Sequence, residues 1–355
     1  MAVGFPTKAN WAAGDVLTAS QMDDLAGTLN TVQNFRPWNA VLNSNMSVWQ
    51  RGTSFAYSGS VAYNADRWCA YNSGTSMTIS RQLTNDTTNL PNIQYCMRVQ
   101  RNAAATNLNP NNVTQSFETI NSIPFVGKTV TLSLYARCGS NYSSTGNILS
   151  VGLTSGTGTD QNFLSSYTGA TTPLFGNAAL TTTWQRFSYT GTVPINATEL
   201  TVQLYNTPTG TAGANDYFEI TGVQLELGSV ANTYQPNGST YQAELAACQR
   251  YYWRFGGSDV YQGFGQGAFQ NSTSAWTAVT YPVPMRANGI QLDYSTLALY
   301  DYASIIPITG VSANILTPNC ARILFTVASG GTTYRPVQIL SNNSTSGYIG
   351  VSAEL

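Results

Sequence analysis

The sequence predicts a mainly β protein: a short N-terminal helical, coiled-coil anchor, then an antiparallel β-sandwich of jelly-roll type, then a smaller C-terminal β domain. Three observations carry this. Val130, Leu132, Leu134 and Ala136 alternate with Thr131, Ser133 and Tyr135, while Leu200, Val202 and Leu204 alternate with Thr201, Gln203 and Tyr205. A strict period of two, apolar on one face and polar on the other, marks half-buried antiparallel strands. Stretches rich in Gly, Ser, Thr and Asn separate the alternating runs, notably 139–162 and 206–216, as turns between short strands require. A period of three to four, at residues 22, 25, 29 and 32, sets the first 36 residues apart.

Residues 1–36 form the first unit. After an irregular GFPTKANWAAGDVL, Thr18 and Gln21 hold the spacing of a capping box. Met22, Leu25, Leu29 and Val32 follow in a 3-4-3 pattern. That is the narrow stripe of a coiled-coil seam, not the wider face of a helix packed on a core. Isolated helices below ~12–15 residues are marginal in water, so the stripe needs a partner. Neighbouring copies would supply one in a trimer; packing on its own domain is the other reading.

Residues 37–236 read as one sandwich, with Trp49, Trp68 and Trp184 assigned to its core. In its closing strand, Phe218 and Ile220 share one phase while Val223, Leu225 and Leu227 take the other. The slip falls at Gly222, where a β-bulge is expected. Residues 237–247 read as a linker, with a short helical pattern in TYQAELAA (240–247). From 248 to 355 the β signal returns, in the Gly-rich aromatic GGSDVYQGFGQGAF and in ARILFTVA, where Ile323, Phe325 and Val327 alternate. No fixed-period repeat indicates a solenoid or propeller.

Composition narrows the function. Hydrophobic residues make up 42% and charged residues only 9%, with a net charge of −1. Such a chain can pack cores, but its surface must be built from Ser, Thr, Asn, Gln and Gly, whose hydroxyls and amides suit neutral sugars. Many β-rich proteins share that composition. Clustered Lys and Arg, the footprint of nucleic-acid binding, are missing. No apolar run reaches the ~18–20 residues of a membrane span, and the N-terminus carries no apolar core of a signal peptide. With no histidine, a Ser-His-Asp or Cys-His nucleophile cannot be assembled. Two-carboxylate chemistry stays open, with Asp66, Glu118, Asp160 and Asp216 as the acids to check against the alternative of solvated strand or loop acids. Cys69, Cys96, Cys138, Cys248 and Cys320 form no metal-site spacing and read as reduced, structural residues. No cofactor is expected.

The stretch Tyr217–Phe255, YFEITGVQLELGSVANTYQPNGSTYQAELAACQRYYWRF, joins a sandwich strand to a Pro-Asn-Gly turn, a short helix and a run of aromatics. This junction resembles one in structural proteins of tailed bacteriophages. There "VQLELGS" closes a jelly roll that resembles a carbohydrate-binding module, and "ELAACQRYY" opens a distal domain. NSNMSVWQRGTSF (43–55), ADRW (65–68), TVTLSLYARCG (129–139), TTTWQRFSYTGTVP (181–194) and YPVPMRA (281–287) extend the resemblance over most of residues 40–290. It implies a virion structural protein assembled in a host cytoplasm; with the missing histidine and the Met22–Val32 seam, the expectation is a non-enzymatic, homotrimeric tail fibre or spike that docks other virion proteins through its N-terminus. Its β domains would contact a host-surface glycan or protein. A head fibre, decoration or tail accessory protein with a purely structural role is the alternative. Related sandwiches often carry a structural Ca²⁺, for which Asp160 or Asp216 would serve, although no D-x-D-x-D-G loop is present.

Sugar rings need aromatic faces flanked by amide, carboxylate or guanidinium groups. Tyr135, Arg137, Gln203 and Tyr205 are assigned to one polar face of the sandwich, as a binding surface or as ordinary β-surface and subunit contacts. In the C-terminal domain, Tyr261, Phe264, Phe269 and Trp276 sit among glycines and polar residues, as a receptor tip or a trimer interface.

Overall fold

The computed structural model describes residues 38–355 except 58, 60, 75–76 and 287–290. Met22, Leu25, Leu29 and Val32, and with them the expected anchor, lie outside the described residues.

Twelve strands build the first unit. They are Ser54–Tyr57 (β1), Ala62–Tyr63 (β2), Cys69–Tyr71 (β3), Met77–Leu83 (β4), Tyr95–Arg101 (β5) and Asn111–Ser116 (β6). Thr129–Cys138 (β7), Ile148–Gly156 (β8), Thr171–Ala179 (β9), Gln185–Thr192 (β10), Glu199–Asn206 (β11) and Tyr217–Leu227 (β12) follow. They pair antiparallel into two six-stranded sheets, β1-β4-β5-β12-β7-β10 and β2-β3-β6-β11-β8-β9. Chain neighbours are seldom sheet neighbours, which is the jelly-roll arrangement. The two sheets bury one core between them. Val130, Leu132, Leu134 and Ala136 of β7 meet Leu200, Val202 and Leu204 of β11 there, all with no exposed surface. Trp68 and Trp49 fill the same core, whereas Trp184 belongs to a smaller cluster with Leu90, Ile93 and Cys96.

The bulge forms where the apolar phase slips. β12 changes register against β7 between Thr221 and Gln224, and Gly222 adopts φ +56°. Phe218 and Ile220 before the slip, and Val223 and Leu225 after it, all reach the core. The polar face of β7 is less exposed than alternation implies, for Thr131 and Ser133 are buried. Residues 228–232 fold back over it: Thr131 donates to the Gly228 carbonyl at 2.8 Å, and Glu226 takes the Asn232 amide at 2.9 Å.

The second unit has nine strands: Tyr252–Gly256 (β13), Gly263–Phe269 (β14), Ser274–Thr280 (β15), Gln291–Ser295 (β16), Leu297–Tyr300 (β17), Ile305–Leu316 (β18), Cys320–Val327 (β19), Pro336–Ser341 (β20) and Tyr348–Ser352 (β21). Six close into a barrel, β14-β15-β19-β18-β17-β20, and β13-β21-β16 form a separate small sheet. Closure leaves the barrel without edge strands. Ile323, Phe325 and Val327, read as one face of a strand, do point into its core. No helix among the described residues is long and apolar enough to cross a membrane.

The segment between the units is no free linker. Its helix runs Tyr241–Gln249, opened by Thr240, whose hydroxyl accepts from the Ala243 amide at 3.2 Å. Cys248 is fully buried, and Glu244 accepts backbone N–H groups of Gly238 and Asn43. Beyond it a charged seam joins the units. Arg250 grips Glu118, Arg286 reaches Asp160 at 3.1 Å, and Glu354 receives both Arg51 and Arg67. Arg51 lies 3.4 Å over the Tyr252 ring and Arg67 3.6 Å over the Tyr251 ring. Arg254 donates to the Arg51 carbonyl at 2.9 Å. Of 15 basic and 16 acidic side chains in the sequence, five arginines and three acids sit in this seam. Cation stacking on tyrosine and buried ion pairs both strengthen when water is excluded.

Candidate functional site

The outer face of the sheet β2-β3-β6-β11-β8-β9 presents the best-built surface. Because Leu200, Val202 and Leu204 point inward, Gln203 and Tyr205 point outward. Pairing then fixes their neighbours. Tyr205 stands opposite Asn112 on β6 and Ser150 on β8, and Asn112 in turn opposite Tyr71 on β3. Gln203 stands opposite Thr114 and Gly152, and Gly152 opposite Phe175 on β9. One row therefore reads Tyr71, Asn112, Tyr205, Ser150, Asn177, and the next Thr114, Gln203, Gly152, Phe175.

Its chemistry is uniform. Phe175 is 54% exposed, Asn177 is exposed, and Tyr71, Asn112, Gln203 and Tyr205 are half-buried. Gln203 donates to the Asn112 side-chain oxygen at 3.1 Å, which fixes both amides in place. Gly152 has no side chain, so the sheet dips between Gln203 and the Phe175 ring; a Cβ there would lie 3.9 Å from that ring. Neither row contains a charged residue. Flat rings, fixed amides and a shallow dip without charge form a surface suited to a neutral, hydroxyl-rich ligand.

Of the four residues assigned to one polar face, the structure unites Gln203 and Tyr205 and sends the other two elsewhere. Tyr135 and Arg137 lie on β7, in the opposite sheet. Arg137 donates to Glu219 at 2.5 Å and stacks over Trp184 at 4.7 Å, and Tyr135 packs on the Trp184 cluster. Period alone marks a residue as outward; it does not say from which sheet. Tyr71, Asn112, Phe175 and Asn177 were missed. β3 is only three residues long, and Pro173 and Gly176 break the alternation of β9.

In the second unit the aromatics split by burial. Phe264 and Phe269 lie inside the barrel core, 8% and 1% exposed, because β14 turns them inward. Tyr261 is 47% exposed with φ +55°, and Trp276 is 37% exposed on the barrel wall with Arg322 beside it.

Of the four acids, Asp66, Glu118 and Asp216 are buried, and Asp160, in a loop, stays partly open. Asp66 is fully buried and held by the Gln50 backbone and side chain; burial pushes its carboxyl up to about 6. Glu118 is buried at the seam. Burial raises its carboxyl, yet hydrogen bonds from Arg250 and Tyr251 and the Arg250 charge outweigh this and hold it below its ordinary value. Asp216 binds Arg101 at 2.8 Å and both the amide and hydroxyl of Ser143, and Asp160 pairs with Arg286. Arginine partners distant in sequence hold Glu118, Asp160 and Asp216, and spacing along the chain cannot show that. Among the described residues no three His, Cys, Asp or Glu side chains gather as a metal-binding group. All five cysteines are free, and burial pushes the Cys69 thiol up to about 12.

No family model matches this chain, and no curated protein matches it. Solved structures do. A CBM4 structure is 15% identical, covering 52% of this chain and 98% of its own, with a TM-score of 0.34. The CBM22-1 xylan-binding domain from Paenibacillus barcinonensis Xyn10C is 12% identical, covering 55% and 97%, with a TM-score of 0.31. The tandem CBM22-1-CBM22-2 domain of that protein is 10% identical, covering 84% and 99%, with a TM-score of 0.30. These likenesses are distant in sequence and in shape.

Proposed function

We propose that this chain is a structural protein of a bacteriophage virion, a homotrimeric tail fibre or spike attached through its N-terminus, whose sandwich binds neutral glycan on the host surface. The carrying observation is the pair of uncharged rows across the outer face of β3, β6, β11, β8 and β9, where Tyr71, Phe175 and Tyr205 stand among Asn112, Asn177 and Gln203. Virion membership rests on the sequence resemblance across residues 40–290. Catalysis is not part of the reading, since Asp66, Glu118 and Asp216 are buried and Asp160 is ion-paired. The purely structural alternative, a head fibre or decoration protein, is favoured by the seam, which spends the chain's scarce charge on rigidity.

The test is affinity electrophoresis of the full chain through gels containing dextran, mannan, xylan or β-glucan. Phe175→Ala with Tyr205→Ala should cut retardation about tenfold in apparent affinity, the equivalent of ~1.4 kcal/mol. Unchanged migration of that variant beside a retarded parent would refute the sandwich site. Particles that lose stability but not adsorption when the protein is deleted would favour the structural role.

A further inference from the structure

The barrel has two ends. At one, Arg286 after β15 reaches the sandwich and Met285 bonds to Pro318 in the β18–β19 turn. At the other, the turns 270–273, 301–304 and 328–335 meet. The Tyr334 amide donates to the Phe269 carbonyl at 2.8 Å, the Gly331 amide to Ser272 at 3.0 Å, and Arg335 pairs with Asp301 at 3.3 Å.

Two tyrosines cap this end, and both backbones are left-handed. Tyr302 has φ +66° and is 59% exposed; Tyr334 has φ +65° and is 86% exposed. For a bulky side chain such a backbone is an outlier, strained where glycine or asparagine would sit at ease. Strain of this kind persists only where neighbours over-determine it. Here they do. One Asp301 oxygen takes the amides of Ala303 and Ser304, which fixes the turn bearing Tyr302; its other oxygen holds Arg335, the residue after Tyr334. The Tyr300 ring, 5.2 Å from that of Tyr302, braces it from the side.

We propose that Tyr302 and Tyr334 form a second contact surface, a tyrosine-capped barrel end that stacks on the sugar rings of a neutral glycan. The rim decides the ligand class. The three turns supply Asn271, Ser272, Thr273, Ser329, Thr332 and Thr333, and their one acid and one base neutralise each other. Tyrosine offers a large amphipathic ring with little side-chain entropy to lose. The ligand class rests on the glycan reading of the sandwich face; the placement does not.

The full chain carrying Tyr302→Asn and Tyr334→Asn is the probe, run in the same four polysaccharide gels. Asparagine tolerates the left-handed backbone, so the thermal midpoint should hold or rise while affinity falls about tenfold. Equal retardation of parent and variant overturns the proposal. If only the Phe175/Tyr205 variant loses retardation, the barrel end fails and the sandwich site stands; if only the Tyr302/Tyr334 variant does, the reverse holds. A parent that no gel retards overturns both. Adherence to host cells that protease treatment abolishes would assign the barrel end a protein partner instead.

Discussion

Arg250 holds Glu118 with two parallel hydrogen bonds, Nε to Oε1 and Nη2 to Oε2, each 2.9 Å. Arg250 follows the connecting helix and Glu118 belongs to the sandwich, so this one contact fixes where the second unit begins. Arg250→Met leaves Glu118 buried without its partner. It should cost roughly 1–2 kcal/mol in denaturant titrations, the partial exposure of Arg250 moderating the loss. An unchanged midpoint would mean that the pair contributes nothing.

Acid should weaken the same contact. The folded-state pKa of Glu118 lies below its ordinary 4.5, so its contribution is complete above that pH and fades as pH falls through the lowered value. The stability gap between the parent and Glu118→Gln should therefore narrow below pH 4.5. A gap constant with pH would exclude a charged role.

Asp66 has the opposite sign. Its folded-state value is raised from 3.8 to about 6, so the unfolded chain gives up this proton first. Stability then falls as pH rises from 3.8 to about 6, by an amount on the order of 3 kcal/mol. Asp66→Asn removes that slope. Stability curves of the parent and variant that run parallel over this range would refute the assignment.

Gly222 is fixed by backbone and space together. With φ +56°, an added Cβ would meet Ile93 Cδ1 and Tyr135 Cδ2 at 2.9 Å. Gly222→Ala should cost roughly 2–3 kcal/mol, read as a lowered midpoint with unchanged slope.

Residues 240–355 expressed alone should melt below the same residues in the full chain. The connecting helix buries Cys248, and Tyr251 and Tyr252 are stacked under Arg67 and Arg51. Excision exposes these apolar and aromatic groups. A fragment with the full chain's melting temperature would show that the seam does not stabilise the barrel.

Much of the fold is legible in alternation. The β7, β11 and β19 cores, and the bulge at Gly222, follow from period two and one phase slip. The candidate site is half legible. Gln203 and Tyr205 read as outward, but assigning them and Tyr135 and Arg137 to a sheet requires knowing which strands pair, and those pairings join residues 43 to 97 apart in sequence. The acids show the same limit: Glu118 and Asp216 look like scattered surface residues until Arg250 and Arg101 come to them. Phe264 reads as a surface ring because its glycine neighbours suggest a loop, whereas β14 is a strand of a closed barrel.

The seam has a mechanical meaning. In the proposed fibre role, load would have to pass from one end of the chain to the other. A slack tether would absorb that load by swinging. Here Arg51 and Arg67 lie flat on tyrosine rings and clasp Glu354, near the end of the sequence, against the sandwich. A tug on the barrel is met as shear across many short contacts at once, so force and orientation travel through the molecule as through a welded joint.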